Sequence, residues 1–341
     1  MAKKIRRAAC AFAALIAIIA AAAAPLFAQA DRSAKLAEGA KKEGVVNYYT
    51  SMSLAESKPL ADEFEKQYPF LKVDVFRASG EKILNRVMTE TRAGRWDFDV
   101  ASLSEIGTFV EQKLIAPYVS TESSHYINEL KDPQGYWSAI YINYMVPGYN
   151  TRMVPERDAP KRWEDLVDSK WKGKISIDPE DYLWYITIVS AWGQERAGRY
   201  MRALAKQDIQ WRKGHSLISQ LMSAGEFPLG IVYAHRTESD KKKGAPLDWV
   251  NTVDPIVVTH HAIGIAAKPR HPNAARLFVD FALSRKAQEL FRSANRVPAR
   301  RDVDPPSPKM EQSKLKLRLV PQDSSTRYNE YVKDFRAIFG L

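Results

Sequence analysis

Six tyrosines, Tyr49, Tyr141, Tyr144, Tyr182, Tyr185 and Tyr233, fall near strand ends or loops of the sequence. Phenolates and carboxylates are hard oxygen donors of the kind that suits a hard metal cation. Tyr233 is followed by Ala234, His235 and Arg236. A phenol, an imidazole and a guanidinium in that order can equally grip a carboxylate or phosphonate, the guanidinium in bidentate fashion. Arg236 also reads as a solvated charge, because Lys241, Lys242 and Lys243 follow closely. Gly214-His215-Ser216 opens a helical pattern, so the amides there, with His215 and Ser216, can face an anion. Asp178, Glu180, Asp181 and Tyr182 come after a strand-like run; they read first as a helix N-terminal cap with a favourable dipole and second as a cation site.

Histidine gives a weaker signal. His260, His261 and His271 lie in one stretch, which raises metal ligation. Neighbours on a strand point to opposite faces, so at most one of His260 and His261 can look into a shared site. His271 precedes Ala274, Leu277, Phe278 and Phe281, which recur at helical spacing behind Pro272; that pattern is a core helix with His271 in an exposed loop before it.

Composition removes whole classes of chemistry. The 341-residue chain holds 51 Lys+Arg against 40 Asp+Glu and one cysteine. Lys3, Lys4, Arg6 and Arg7, an apolar run to Phe27 and the small-residue pattern Ala28-Gln29-Ala30 predict a cleavable export leader over residues 1–30, hence a periplasmic location. Cys10 lies inside that leader, so the mature chain has no thiol for disulfides, iron–sulfur clusters, cysteine-ligated zinc or nucleophilic catalysis. Without the leader's four basic residues the formal charge is +7, spread along the chain with no basic-aromatic module, so nucleic acid is not an expected partner. No Gly-x-Ser-x-Gly, His-Glu-x-x-His, P-loop or GxGxxG pattern occurs, and no prosthetic group is implied.

The elements that must position these side chains follow one theme. "VVNYYT", "LKVDVF" and "WDFDVASLS" read as strands, each followed by a polar loop and an amphipathic helix, which predicts an α/β fold with a mostly parallel sheet. Ligands of such sheets sit beyond the carboxyl ends of the strands. The loops at 50–53, 77–80 and 102–105 therefore supply Tyr49, Ser51, Ser79, Gly80 and Ser102 as candidate contacts, with Ser53, Ser79 and Ser104 equally readable as N-caps. A second region, about 136–255, carries strands at "SAIYINYMVPGYN", "GKISIDP" and "PLGIVYAHR", with Trp163, Leu166 and Trp171 packing around a turn. The two regions interleave rather than follow one another.

The stretches "VNYYTS", "DVASLSEIGTFVEQKLIAPY", "RWEDLVDSKWKGKISI", "SAGEFPLGIVYAHR", "AIGIAAKPRHPNAARLFVDFALSRKAQELF" and "NRVPAR" resemble the periplasmic solute-binding proteins of ABC importers, in particular the ferric-iron type. The resemblance implies a type II two-lobe fold, each lobe a mixed sheet flanked by helices, with a ligand cleft between them. By this analogy lobe 1 comprises 31–130 and 256–300, and lobe 2 comprises 131–255 and 301–341. It also implies a monomer without catalysis, delivering a small solute to a membrane permease and its ATPase subunits. Iron-binding members present two adjacent tyrosines where this chain has Tyr233 and Ala234. Tyr233 is then the tentative metal ligand, Fe3+ the favoured cargo and a small organic anion or phosphonate the alternative, with a secreted hydrolase behind both. Tyr141, Tyr182, His215, Ser216 and His235 complete the expected contacts.

Overall fold

The computed structural model describes residues 32–321 and 327–341; the leader, its cleavage point after Ala30 and Cys10 lie outside them. Residues 32–43 form helix α1. Three strand–helix units follow: β1 (Val45–Thr50) into α2 (Leu54–Gln67), β2 (Lys72–Arg77) into α3 (Gly80–Arg92), and β3 (Val100–Leu103) into the short α4 (Ile106–Glu111). After β4 (Ile115–Ala116) the chain enters the long β5 (Ser138–Asn150), then β6 (Ile175–Ile177), α5 (Tyr182–Trp192), α6 (Gln194–Ala205), β7 (Gln210–Trp211), α7 (His215–Ala224), β8 (Leu229–Tyr233), α8 (Ala234–Lys242) and β9 (Leu247–Trp249). The long β10 (Ile256–Ala266) leads to α9 (Pro272–Leu283), α10 (Arg285–Ser293), β11 (Val297–Pro298), β12 (Leu317–Leu319) and α11 (Tyr328–Phe339).

The sheet order is β2-β1-β3-β10-β5-β8-β6-β7. β1 pairs in parallel with β2 and β3, and β6 in parallel with β7 and β8, as the strand–loop–helix rhythm requires. Between these blocks β10 and β5 run antiparallel to each other, and each is antiparallel to its outer neighbour. The sheet is thus mixed, not mostly parallel. Two strands of 11 and 13 residues pass from one block to the other in opposite directions, and only antiparallel pairing lets them do so side by side.

The helix read from Ala274, Leu277, Phe278 and Phe281 is α9, and all four are buried. Phe278 packs on Tyr48 at 4.8 Å and edge-on against Phe64 at 5.0 Å, clamping α9 and α2 onto β1. His271 is not in an exposed loop. It stands at the N-cap position of α9, where its Nδ1 lies 2.8 Å from the buried Asp99 carboxylate. Trp163, Leu166 and Trp171 are buried as expected, in 3₁₀ turns, with Trp163 Nε1 donating to the Pro255 carbonyl at 2.7 Å. Among the described residues no helix is long and apolar enough to cross a membrane.

Candidate ligand cleft

Strand alternation sorts the first candidates. On β1, Tyr48 and Thr50 share a face and meet Ser102 of β3: the Tyr48 hydroxyl is 2.5 Å and the Thr50 hydroxyl 2.7 Å from Ser102 Oγ. Tyr49 faces the other way. It packs on Phe76 and donates to Glu90 of α3 at 3.2 Å, so the structure does not bring it to this cluster. Ser51 follows the strand, half-buried, with its amide donating to the Ser102 carbonyl. Ser79 caps α3 by accepting from the Lys82 amide, and it is exposed. Gly80 begins α3 against the Glu105 side chain; a β-carbon there would collide with Glu105 Oε2.

The centre is a residue that sequence reasoning missed. Just past the C-cap of α10, Asn295 stands in the left-handed region (φ 66°), a conformation asparagine tolerates, and β11 then pairs Val297 with Ile142 of β5. Arg296, held between them, lies 4.6 Å over the Tyr141 ring, which stacks in turn on His261 at 4.9 Å. Its Nε donates to Glu56, at the start of α2, and its Nη1 donates to Asn143 Oδ1 at 3.0 Å and to His235 Nε2. Among the described residues its Nη2 takes no partner, and the side chain keeps 18% of its surface exposed.

β8 ends at Tyr233, and α8 starts at once. His235 and Arg236 are therefore first-turn helix residues, not the strand continuation the sequence reading drew through "GIVYAHR". Tyr233 lies between His215, with ring centroids 4.2 Å apart, and His235, at 5.6 Å. His215, first residue of α7, pairs its Nε2 with Asp181 at 3.0 Å and holds Nδ1 against the Ile231 carbonyl. Ser216 beside it is exposed. Asp178 accepts from the Gly214 amide at 2.7 Å, so the acidic cluster braces the α7 entry. Arg236 turns back to Asp240. Tyr182 packs under α11, where its hydroxyl accepts from Arg336 and its ring meets Phe335 at 5.4 Å, away from Arg296.

Electrostatics make this centre rich in donors. Burial, with Arg296, Arg236 and His215 nearby, holds His235 well below the usual imidazole range, so it is neutral at pH 7. Arg296 donates to its Nε2, which assigns its proton to Nδ1; that atom is buried and without a partner, as is Asp181 Oδ2. His261 is likewise neutral, pushed down to about 3 by burial and Arg296. Burial opposes charge on His215 too, but Asp181 and Asp178 outweigh it and lift it to about 9. Burial raises the phenols of Tyr141 and Tyr233, which sense each other and Arg296, so both remain protonated. Neither hydroxyl has a hydrogen-bond partner among the described residues. Among the described residues Arg296 Nη2, the buried His235 Nδ1–H and the two phenols are thus donors without an acceptor, linked through the contacts of Arg296 with Tyr141 and His235 and of His235 with Tyr233.

Behind the crossing segment a separate hollow of about 440 Å3 is lined by Lys131, Asp132 and Trp137. Trp137 stacks on His260 at 4.6 Å, so the two adjacent histidines do serve opposite faces. Lys131 and Asp132 are already engaged by backbone groups there. Among the described residues no three His, Cys, Asp or Glu side chains gather as a metal site.

Two strand–helix blocks joined by a pair of crossing strands give the fold of the type II periplasmic binding proteins. Residues 100–325 match the model of the bacterial extracellular solute-binding proteins, and the chain belongs to that family. An uncharacterized protein of Haemophilus influenzae is 30% identical over 192 residues, a match spanning 53% of this chain and 56% of that protein. Iron-bound HitA from Pseudomonas aeruginosa superposes with a TM-score of 0.77 at 18% identity, covering 87% of this chain and 99% of HitA. AfuA from Actinobacillus pleuropneumoniae, with fructose-6-phosphate bound, gives 0.73 at 25% identity, covering 86% and 99%.

Proposed function

We propose that the chain captures a small organic anion, a phosphorylated, phosphonate or carboxylate solute, in the cleft and delivers it to an ABC permease and its ATPase subunits, without catalysis. The carrying observation is Arg296: a largely buried guanidinium, 18% exposed, that among the described residues has no partner at Nη2 and lies over the Tyr141 ring and against His235, whose Nδ1–H is itself without an acceptor. Donors fixed in a partly desolvated cleft favour negative charge. The sugar phosphate bound to AfuA agrees in chemistry. In this reading residues 31–130 and 256–300 form one lobe, 131–255 and 301–341 the other, and a monomeric protein closes about β5 and β10 after export to the periplasm and removal of residues 1–30.

Calorimetric titration with hexose phosphates, alkylphosphonates, dicarboxylates and ferric citrate tests the reading. Binding of at least one organic anion, weakened about a hundredfold or more by Arg296→Gln, is the expected result. Ferric iron, placed first by the sequence reading, is the second reading, favoured by the two free hydroxyls of Tyr141 and Tyr233. A charge-transfer band with ferric citrate that fades in Tyr233→Phe, and silence with every organic anion, would replace the first reading by the second.

A further inference from the structure

The turn between α10 and β11 grips one histidine twice. Asn295 donates its side-chain amide to the His235 carbonyl at 2.6 Å, and the next residue, Arg296, donates to His235 Nε2. A carbonyl oxygen has two lone pairs, so it can take Asn295 beside a helical bond. Backbone and ring of His235 are therefore tied to the same turn. The amide oxygen of Asn295 is used as well, accepting from Lys242 Nζ at 2.7 Å. Lys242 lies seven residues beyond His235, two turns on and on the same face of α8, so the buried Asn295 is bonded near both ends of that helix. In the proposed division of the chain the turn and α8 belong to different lobes. Arg296 is fixed from its own side by Glu56 and from the crossing strand by Asn143, while His235 stacks on Tyr233. Asn295 joins these two halves, and its left-handed backbone lets successive side chains reach α8.

We propose that Asn295 is a positioning residue that clasps α8 to the α10–β11 turn, with Lys242 as its outer tie, and so holds Arg296 and His235 as a preformed pair before any solute arrives. The use of that pair in binding rests on the anion reading; the clasp itself does not. A pair organised in advance spares the solute the work of ordering it, so loosening the clasp weakens binding without removing a contact to the solute.

Asn295→Gly is the direct test, since glycine keeps the left-handed backbone and deletes the amide. Nitrogen-15 NMR of the mature protein labelled at histidine reads His235 with no solute present. The unaltered protein should show a single tautomer with its proton on Nδ1, because Arg296 occupies Nε2. Asn295→Gly should turn that signal into a mixture of tautomers, and Lys242→Met should do so in part. Calorimetry with fructose 6-phosphate, methylphosphonate and succinate should find whichever probe binds weakened about tenfold by Asn295→Gly and about threefold by Lys242→Met. Lys242 is exposed, so its variant keeps the test open even where Asn295→Gly folds poorly. Lys241→Met removes the same charge one residue away, from a lysine paired with Asp248, and should leave signal and affinity unchanged. An unaltered His235 signal in both Asn295→Gly and Lys242→Met overturns the clasp, whatever the affinities. An altered signal with undiminished affinity overturns the positioning role. If the unaltered protein binds none of the three probes, the anion reading falls, and the clasp is decided by the His235 signal alone.

Discussion

The two walls of the cleft are built by similar means and finished differently. On the β1–β3 side, Tyr48, Thr50 and Ser102 satisfy one another, Ser79 caps α3 and Glu56 is held by Arg296. On the β8 side, Tyr233 has a bare hydroxyl, His235 a buried N–H without acceptor and Asp181 a buried oxygen without donor. Unsatisfied buried polar atoms cost stability, commonly about 1–3 kcal/mol each, so a fold retains them where something else completes them. One wall is internally satisfied; in the proposed reading the other supplies the donors.

Breaking that contrast begins at the residue that touches both walls. Arg296→Gln should cost the most affinity. It should also lower the melting temperature, because Glu56 is buried and loses its counter-charge. Glu56→Gln lowers stability while keeping Nη2, so calorimetry on the pair separates binding from folding. Next, Tyr233→Phe should weaken binding about five- to tenfold by removing one hydroxyl, with little change in melting temperature, since no described residue bonds to it.

A pH series sharpens the comparison further. His215 has its folded value raised to about 9 against an ordinary value of about 6.5, so its pairing with Asp181 stabilises fully below about 6.5 and is lost as pH rises through about 9. Thermal unfolding of the unaltered protein should therefore lose ground between pH 6.5 and 9 relative to His215→Gln, and anion affinity should weaken over the same window. Parallel profiles would remove the charged pair from the account. The smallest effects belong to the satisfied wall. Thr50→Val should shift affinity no more than about threefold, and Tyr49→Phe should leave it unchanged and cost about 1 kcal/mol of stability, measured by denaturant unfolding.

Legibility in the sequence followed the range of the interactions. The strand–loop–helix rhythm and the α9 face were readable because period and capping are local. The mixed sheet was not, since the antiparallel β5–β10 pair joins residues more than a hundred positions apart. Tyr49 was chosen over Tyr48 because the composition of "NYYT" does not say which parity faces the cleft. Arg296 stayed hidden for a different reason. Its role depends on a left-handed Asn295 and on β11 pairing across to β5, neither of which leaves a periodic trace. Tyr141 and His235 both meet Arg296, and Tyr233 lies between His215 and His235, while Tyr182 packs under α11.

The β5–β10 register slips between His261 and Ala262. An irregularity of this kind concentrates bending and twist in a ribbon that is otherwise continuously hydrogen-bonded. The ring at that spot stacks on Tyr141 and reaches Ser102, so if the lobes close about β5 and β10 as proposed, the pivot and the cleft floor share side chains. In the proposed closure, pressure from a solute on Tyr141 would be torque at the pivot, and the angle between the lobes a gauge of what lies inside.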